Sequence, residues 1–426
     1  MDIKGIHHLF TKSKGICTDT RKVKIDTLFF ALKGDNFNGN LYAKQAIADG
    51  CSYAIVDEEK FVLNNHYILV DSVLKTLQDL AKFHREQFDI PVIGITGSNG
   101  KTTSKELIGE VLNKKYNVLM TQGNLNNHLG VPFTLLNLTD QHEIAIIEMG
   151  ANKPGDIKEL VDIALPTHGI ITNIGTAHIE GFGSLQGVID TKTEMYEFIK
   201  QTNGTLFVNA KDDLLLKYLP KVEAVFYGNN SSNVNGELLE LTPFVNFKWS
   251  TSRFESNPLK TNLVGAYNYI NFLAAISIGV EFSVNEIDIC NAIEEYLPTN
   301  NRSQVTQTDR NTLIVDCYNA NPTSMQSAID SFEMIKTDSK LLILGDMLEL
   351  GHISDAEHNK VIDTLNTKGL SAILVGEEFS KCKTEYKCYQ NTSELMKAEN
   401  LDELTDTYIL LKGSRGISLE KLIPNL

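Results

Sequence analysis

The chain has 426 residues, of which 42% are hydrophobic and 22% are charged, and its formal net charge is −15. A chain of this length exceeds one ordinary hydrophobic core and predicts two to three domains of a globular protein. The acidic balance argues against a nucleic-acid partner, because a duplex requires a basic surface on the protein. It leaves small anionic ligands open, since a cleft can be locally positive.

The opening MDIKGIHHLFTKSKG lacks the apolar core of a signal peptide, which predicts a cytoplasmic protein. The uncharged run 263–280 approaches the roughly 18 apolar residues of a membrane helix. It contains Asn268, Asn271 and two glycines, so we expect a buried helix and no membrane insertion. The six cysteines show neither a C-x-x-C pair nor zinc spacing, which predicts reduced and mostly buried thiols.

The first segment, residues 1–90, predicts short strands and one helix. The runs 28–32 and 52–56 are strand candidates, and 72–88 carries apolar residues at helical spacing. The sequence Asp89-Ile90-Pro91 interrupts that spacing, so we place the first domain boundary there.

From Pro91 onward the pattern becomes strand, loop and helix. Apolar runs at 92–96, 144–147 and 169–172 are each followed by polar residues, and a helical pattern covers 103–112. Runs that are apolar throughout are typical of strands buried on both faces, so we expect a parallel sheet flanked by helices.

A turn-rich patch at 297–301 follows the helical stretch 286–296 and marks the second boundary. Beyond it the alternation of strands and helices restarts. Because several of its apolar runs end in glycine, and ligands of open α/β sheets lie beyond the carboxyl ends of strands, these glycines indicate a cleft. The runs are 312–315, 341–344, 372–375 and 408–411.

The stretch 94-GITGSNGKTTSKE-106 is similar to a phosphate-binding loop, although only two residues separate Gly97 from Gly100. The two glycines allow backbone N–H groups to approach phosphate oxygens at a helix N-terminus. Lys101 would then bridge the β- and γ-phosphates, and the Thr102 hydroxyl would bind Mg²⁺. The competing interpretation is a chance strand, turn and helix.

Three further residues follow the predicted strands. Glu148 ends the run 144–147, where a carboxylate is either a cap or, beside a phosphate loop, a metal ligand or base. His178 lies past the next strand on the same sheet edge, although a single histidine is more often structural. Lys192, judged by composition alone, would be a protonated surface lysine with a pKa near 10.4.

The segment 96-TGSNGKT-102 matches the shortened loop T-G-[TSN]-N-G-K-[TS] of the Mur ligase family, and the chain resembles that family over almost its whole length. These are ATP-dependent enzymes that form amide bonds in peptidoglycan precursors. Further segments are similar to the member that adds D-alanyl-D-alanine to UDP-MurNAc-tripeptide. They are 18-TDTRK-22, 29-FFALKG-34, 123-GNLNNHLGVPFTLL-136, 147-IEMGANKPGDI-157, 178-HIEGFGSLQGV-188, 316-DCYNANPTSM-325, 345-GDMLELG-351 and 412-KGSR-415.

The resemblance implies an α/β protein of three domains. Residues 1–90 would bind the UDP-MurNAc-peptide on a small α/β domain. Residues 91–298 would form the central ATP-binding domain, with a parallel sheet like that of P-loop ATPases. Residues 299–426 would form a Rossmann-like domain that closes over ATP and binds the dipeptide.

The resemblance also implies site residues. The catalytic residues would be Lys101, Glu148, His178 and Lys192. The metal ligands would be Thr102, Glu148, His178 and, only if it is carbamylated by CO₂, Lys192. The ATP-binding residues would be Thr96, Gly97, Ser98, Asn99, Gly100, Lys101, Thr102, Thr103, Asn268, Arg302 and Asp316. The substrate-binding residues would be Thr18, Asp19, Thr20, Arg21, Asn124, Asn126, Asn127, Tyr318, Asn319, Asn321, Lys412, Ser414 and Arg415.

The implied reaction uses ATP with two Mg²⁺ ions, takes UDP-MurNAc-tripeptide and D-Ala-D-Ala as substrates, and passes through an acyl phosphate in a monomeric enzyme. Two departures from the family pattern affect local contacts. Tyr267 stands where the family often has an adenine-side histidine, and Asn38-Gly39-Asn40 stands where D-G-H is common. Two alternatives remain open: a neighbouring ligase that adds the third amino acid, and a P-loop switch or transport ATPase.

Overall fold

The computed structural model describes residues 1–176, 178–228, 232–241 and 243–426. This part of the chain is an α/β protein with three mainly parallel sheets, which confirms the predicted fold class. It divides into two compact units: one has Met1–Gly94, Tyr116–Ala151 and Gly155–Gly169, and the other has Ile95–Lys115, Asn152–Pro154 and Ile170–Leu426. This division does not test the domain boundaries near 90 and 298, which stay predictions.

The amino-terminal segment contains a four-stranded parallel sheet in the order β1-β2-β5-β6 and a short antiparallel hairpin. Its strands are β1 (Ile16–Cys17), β2 (Leu28–Phe30), β3 (Lys33–Gly34), β4 (Phe37–Asn38), β5 (Tyr53–Val56) and β6 (Tyr67–Leu69). Its helices are α1 (Ile3–Lys12), α2 (Ala43–Ala48) and α3 (Val73–Arg85).

The expectation of one helix in this segment is wrong, because α1 and α2 accompany the predicted α3. Each of the two missed helices buries only two residues: Ile6 and Phe10, at helical spacing, in α1, and Ala43 and Ala46 in the short α2. The predicted helix is confirmed, with the Ser72 hydroxyl accepting the N–H of Lys75 at 3.3 Å. It ends at Arg85, whose guanidinium binds the carbonyl oxygens of Phe88 and Ile90 beyond the helix.

The central sheet has six strands in the order β12-β11-β10-β7-β9-β8. Every residue of β7 and β9 is buried, as the continuous apolar runs predicted. The strands are β7 (Val92–Thr96), β8 (Val118–Met120), β9 (Ile144–Glu148), β10 (His168–Ile171), β11 (Thr205–Asn209) and β12 (Glu223–Tyr227). The helices are α4 (Lys101–Asn113), α5 (Gly130–Leu135), α6 (Asp156–Ala164), α7 (Ile179–Phe182), α8 (Leu185–Gln201) and α9 (Asp213–Lys217).

A three-stranded antiparallel sheet, which the sequence did not predict, follows in the chain. It consists of β13 (Asn235–Glu240), β14 (Phe244–Ser250) and β15 (Leu259–Val264), and the helices α10 (Tyr267–Glu281) and α11 (Glu286–Glu295) come next. The uncharged run 263–280 is therefore the end of a strand plus a helix, and α10 is buried along most of its length. Among the described residues, no helix is long and apolar enough to cross a membrane.

The carboxyl-terminal sheet has the order β16-β17-β21-β18-β19-β20, with β16 antiparallel and the other strands parallel. Apolar clusters cover it, and all four predicted runs are strands. The strands are β16 (Gln304–Gln307), β17 (Thr312–Asp316), β18 (Lys340–Gly345), β19 (Ala372–Val375), β20 (Lys387–Tyr389) and β21 (Tyr408–Lys412). The helices are α12 (Pro322–Glu333), α13 (Ser354–Lys368), α14 (Glu377–Lys381) and α15 (Thr392–Ala398). All six cysteines of the chain, each in the described part, are free, and four are buried.

Candidate active site

The glycine loop connects the end of β7 to the start of α4. At both of its glycines the backbone conformation favours glycine, and a neighbouring side chain leaves no room for a Cβ atom. Gly97 has φ 146°, and a Cβ atom there would lie 1.9 Å from Oγ1 of Thr172. Gly100 has φ 78°, and its Cβ would lie 2.8 Å from Oδ1 of Asn271. The loop therefore packs closely on neighbouring side chains, and no side chain of its two glycines covers the backbone at the N-terminus of α4. Phosphate oxygens bind to backbone N–H groups that are accessible in this way.

Residues after β10 hold this loop in shape. Asn173 accepts the N–H of Ser98 through its carbonyl oxygen and the N–H of Asn99 through Oδ1, each at 3.0 Å. The Thr172 hydroxyl donates to the carbonyl oxygen of Asn99 at 2.6 Å. Thr172 and Asn173 were not predicted from the sequence, although their place just beyond a buried strand was a usable signal.

Lys101 lies against the glycine loop, and the threonines of the loop are buried. The ammonium of Lys101 donates to the carbonyl oxygens of Gly97 at 2.7 Å and Ser98 at 3.3 Å, so it stays beside the loop. Thr96, Thr102 and Thr103 are buried. The residues present therefore fit a bound triphosphate, with one cation beside the cradle.

Glu148, at the end of β9, is 1% exposed and is oriented by an amide. The Nδ2 of Asn126 donates to its Oε1 at 2.8 Å, and its backbone N–H is bonded to the Thr121 hydroxyl at 3.0 Å. A buried and oriented carboxylate suits a hard cation such as Mg²⁺. Of the other predicted asparagines in this segment, Asn127 accepts two backbone N–H groups at the start of α5, and Asn124 is exposed.

His178 lies just before α7 with φ 55°, and Glu349 forms an ion pair with its Nδ1, although without the alignment of a hydrogen bond. Burial lowers the pKa of His178, and the charges of Lys101 and Lys192 lower it further, while Glu349 opposes them. Lys192 is 2% exposed in α8, and its ammonium lies 5.8 Å from the ring centroid of Phe182. The interpretation of Lys192 as a surface residue is therefore wrong.

The predicted adenine-side residue Asn268 is buried in the first turn of α10. Its Nδ2 donates to the carbonyl oxygen of Val264 at 2.8 Å, and its Oδ1 accepts Nδ2 of Asn271 at 2.9 Å. Tyr267, at the position of the family histidine, shares a 2.7 Å hydrogen bond with the Ser303 hydroxyl. Burial raises the pKa of Tyr267, so its hydroxyl stays neutral.

Charged side chains gather where β17 and β21 end. Asp316 accepts the Lys412 ammonium through Oδ2 at 2.6 Å and the N–H of Ser303 through Oδ1 at 3.2 Å. The Arg302 guanidinium carbon lies 3.7 Å from the ring centroid of Tyr318, and that of Arg415 lies 5.6 Å from it. The structure therefore brings the predicted Arg302, Asp316, Tyr318, Lys412 and Arg415 together with Ser303.

The glycine loop also contacts the start of α12. The Nδ2 of Asn321 donates to Oδ1 of Asn99 at 2.7 Å, while its own Oδ1 accepts the N–H of Ser324 and caps the helix. Asn319 is exposed, and the buried Ser414 hydroxyl accepts the N–H of Leu348 at 2.9 Å.

The amino-terminal candidates form a surface turn. Thr18 precedes the turn and Thr20 begins it, while Asp19 accepts Nη2 of Arg21 at 2.8 Å. Hydrogen bonds from Arg21 lower the pKa of Asp19 to about 2.

The side chains at residues 38–40, where the sequence departs from the family pattern, bind to one another and to a residue that follows β5. Asn40 is buried, and its Nδ2 donates to Oδ1 of Asn38 at 2.9 Å and to Oδ1 of Asp57 at 2.8 Å.

The chain is similar to known proteins of one family along nearly its whole length. Residues 95–279 match the Mur ligase middle domain, and residues 301–415 match the Mur ligase glutamate ligase domain. The UDP-N-acetylmuramoyl-tripeptide–D-alanyl-D-alanine ligase of Bacillus subtilis strain 168 is 33% identical over 97% of this chain and 93% of its own length. The fold is similar to that of two crystal structures. MurF from Acinetobacter baumannii superposes with a TM-score of 0.88 and is 31% identical, over 97% of this chain and 93% of that one. MurF from Thermotoga maritima in complex with ADP superposes with a TM-score of 0.87 and is 25% identical, over 97% of this chain and 96% of that one. The chain belongs to the Mur ligase family.

Proposed function

We propose that this protein is the ATP-dependent ligase that joins D-alanyl-D-alanine to UDP-MurNAc-tripeptide, giving UDP-MurNAc-pentapeptide, ADP and phosphate. The observation that carries the proposal is the extent of the similarity. Ligases of this name match 97% of the chain, so the likeness covers the amino-terminal and carboxyl-terminal sheets as well as the nucleotide loop.

The first step activates the peptide. Its free carboxylate attacks the γ-phosphorus of ATP, the bond to the β-phosphate oxygen breaks, and an acyl phosphate and ADP form. Two anions repel each other as they approach, so the step requires positive charge at the phosphates, which Lys101 and the N-terminus of α4 supply. Two bound Mg²⁺ ions, held by Thr102, Glu148, His178 and carbamylated Lys192, would add positive charge there.

The second step forms the amide. The neutral amine of the dipeptide attacks the acyl carbon, and phosphate leaves from the tetrahedral intermediate. An acyl phosphate hydrolyses in water, so the carboxyl-terminal domain must cover it. We assign Arg302 and Asp316, with Asn268 and the loop residues Ser98 and Asn99, to the nucleotide.

The remaining candidates are assigned to the two peptide substrates. We propose that the dipeptide is bound by the group Tyr318, Asn319, Asn321, Lys412, Ser414 and Arg415. The UDP-MurNAc-tripeptide is assigned to the group Thr18, Asp19, Thr20, Arg21, Asn124, Asn126 and Asn127. The same proposal places the protein in the cytoplasm, where ATP is present as the cosubstrate. It also takes the protein to be a monomer.

Amine-dependent phosphate release tests the function. Purified protein is given ATP, Mg²⁺ and either UDP-MurNAc-tripeptide or UDP-MurNAc-dipeptide, with D-Ala-D-Ala, a single amino acid or no amine, and Lys101→Ala serves as the inactive control. Release that requires the dipeptide supports the proposal. Rapid release without an amine would instead indicate a P-loop ATPase, and turnover only with UDP-MurNAc-dipeptide and one amino acid would indicate the neighbouring ligase.

A further inference from the structure

The loop at residues 345–351, between β18 and α13, is anchored at successive backbone positions. The N–H of Asp346 bonds the carbonyl oxygen of Val375 at 3.0 Å. The N–H of Met347 donates to Nε2 of His358 at 3.1 Å, and the next N–H, of Leu348, is held by Ser414. Consecutive bonds to three different elements leave this loop little freedom.

Buried side chains support the same loop. Asp346 is 2% exposed, and its two carboxylate oxygens accept the N–H groups of Glu378 at 2.8 Å and Phe379 at 3.0 Å. A Cβ atom at Gly376 would lie 2.1 Å from the carboxyl carbon of Asp346. His358 is fully buried, and because its Nε2 accepts a proton, its Nδ1 donates to the carbonyl oxygen of Ser354 at 2.8 Å.

The loop at residues 345–351 places the exposed carboxylate of Glu349 beside the candidate active site. Glu349 adopts φ 63°, a left-handed conformation that is uncommon for a residue with a side chain, and its carboxylate contacts Nδ1 of His178. Gly351 follows with φ 55°, and a Cβ there would lie 3.2 Å from Cγ of Glu180. The loop thus packs against the start of α7, and the unusual backbone of Glu349 indicates a functional constraint.

We propose that Glu349 is a positioning residue, which rests on the proposed ligase function: its negative charge beside Nδ1 of His178 favours the proton on that nitrogen and so leaves Nε2 as the nitrogen that carries the lone pair. A neutral imidazole has one donor and one acceptor nitrogen, and a carboxylate beside one nitrogen decides which is which. Partners of this kind fix both the tautomer and the orientation of a histidine that must bind or accept.

The arrangement also couples two parts of the fold. His178 follows a strand of the central sheet, whereas Glu349 belongs to a loop of the carboxyl-terminal sheet. The orientation of His178 therefore depends on the placement of the carboxyl-terminal sheet.

A kinetic comparison tests the positioning role. Glu349→Ala is expected to lower kcat about 10- to 100-fold, the usual effect of losing such a partner, with KM for ATP and UDP-MurNAc-tripeptide changed less than about threefold. Glu349→Gln retains an acceptor oxygen and should recover part of the rate. The control Glu385→Ala removes an equal charge from an exposed position in the same sheet domain and should leave kcat unchanged.

A spectroscopic readout separates this inference from the ligase assignment. In metal-free protein with ¹⁵N-labelled histidine, the resonance that disappears in His178→Gln should show the Nδ1–H tautomer, and Glu349→Ala should shift it toward Nε2–H. An Nε2–H tautomer in the unmodified protein, or a kcat of Glu349→Ala equal to that of the control, would overturn the inference. The tautomer is measured without turnover, so it decides the pairing even if the protein joins a different amine.

Discussion

The ammonium nitrogen of Lys412 lies 2.6 Å from Oδ2 of Asp316. The two residues face each other in register at the carboxyl ends of the neighbouring parallel strands β21 and β17. The Lys412 side chain is only 2% exposed. A charge in such a position is tolerated because it is paired, so each partner depends on the other.

We expect Asp316→Ala to destabilise the protein by about 3–5 kcal/mol, because it leaves the buried ammonium of Lys412 without its carboxylate. Urea unfolding measures the change. The matched control is Asp402→Ala, which breaks the exposed pair with Arg310 at 3.0 Å and should alter stability by less than about 1 kcal/mol. Equal effects of the two substitutions would contradict the assignment of a buried pair.

Substitution of Gly97 by alanine should weaken nucleotide binding. The added Cβ would collide with Thr172, so the loop must move away from the position in which its N–H groups face phosphate, and Kd for ATP should rise about tenfold or more. Calorimetric titration measures it. Gly369→Ala is the control, since Gly369 has φ 61° with open space around it; it should lose about 1 kcal/mol of stability and keep ATP affinity.

Asn126→Ala should raise the Mg²⁺ concentration that the ligase reaction requires. The Asn126 amide holds one oxygen of Glu148, and the loss of a group that orients a metal-binding carboxylate typically weakens metal affinity or activity about 10- to 100-fold. Initial rates measured against Mg²⁺ concentration give the effect. Asn137→Ala, which removes an exposed amide bonded to the carbonyl oxygen of Phe133, is the control. An unchanged Mg²⁺ requirement in Asn126→Ala would remove Glu148 from the metal site.

Acid should destabilise the packing of α1 on α3 through a histidine pair. The Nε2 of His84 lies 3.0 Å from the carbonyl oxygen of Leu138, which can only accept, so His84 donates there and its Nδ1 accepts Nε2–H of His7 at 3.0 Å. His84 is therefore neutral in the folded protein, and its ring cannot take up a second proton without losing the bond from His7. Burial lowers the pKa of His84 and of His7 below the ordinary value near 6.5.

The direction of the effect follows from proton binding. At pH values between the ordinary pKa and the lower pKa of the folded protein, the unfolded chain binds protons that the folded chain does not. The contribution of the histidine pair to stability is therefore complete above about pH 6.5 and falls as the pH decreases below that value. Thermal melts at pH 7.5, 6.5 and 5.5 should show a decreasing Tm. The double substitution of His7 and His84 by glutamine should flatten the decrease relative to His352→Gln, an exposed control. The same slope in both variants would exclude the pair as its source.

Much of this protein follows from local sequence patterns. The runs of β7 and β9 are buried at every position, and continuous apolar stretches of that length predict buried parallel strands. The two glycines of the nucleotide loop were also predictable from the sequence, because a phosphate-binding loop needs accessible backbone N–H groups before a helix. The helix α2 was missed because it is short and buries only two alanines, whereas α1 carries Ile3, Ile6 and Phe10 at helical spacing, a signal that was present in the sequence.

The sequence by itself therefore determined the continuously apolar parallel strands, the nucleotide loop and the residues that end buried strands, since these depend on backbone preference and on burial along a single element. It did not predict the antiparallel sheet of β13, β14 and β15. Only the tertiary structure decided that Asn321 contacts Asn99, 222 residues away, that Lys192 is buried, and that Glu349 meets His178. The physical reason is that such contacts arise from the packing of separate elements, to which neither partner's neighbours in sequence contribute a periodic signal.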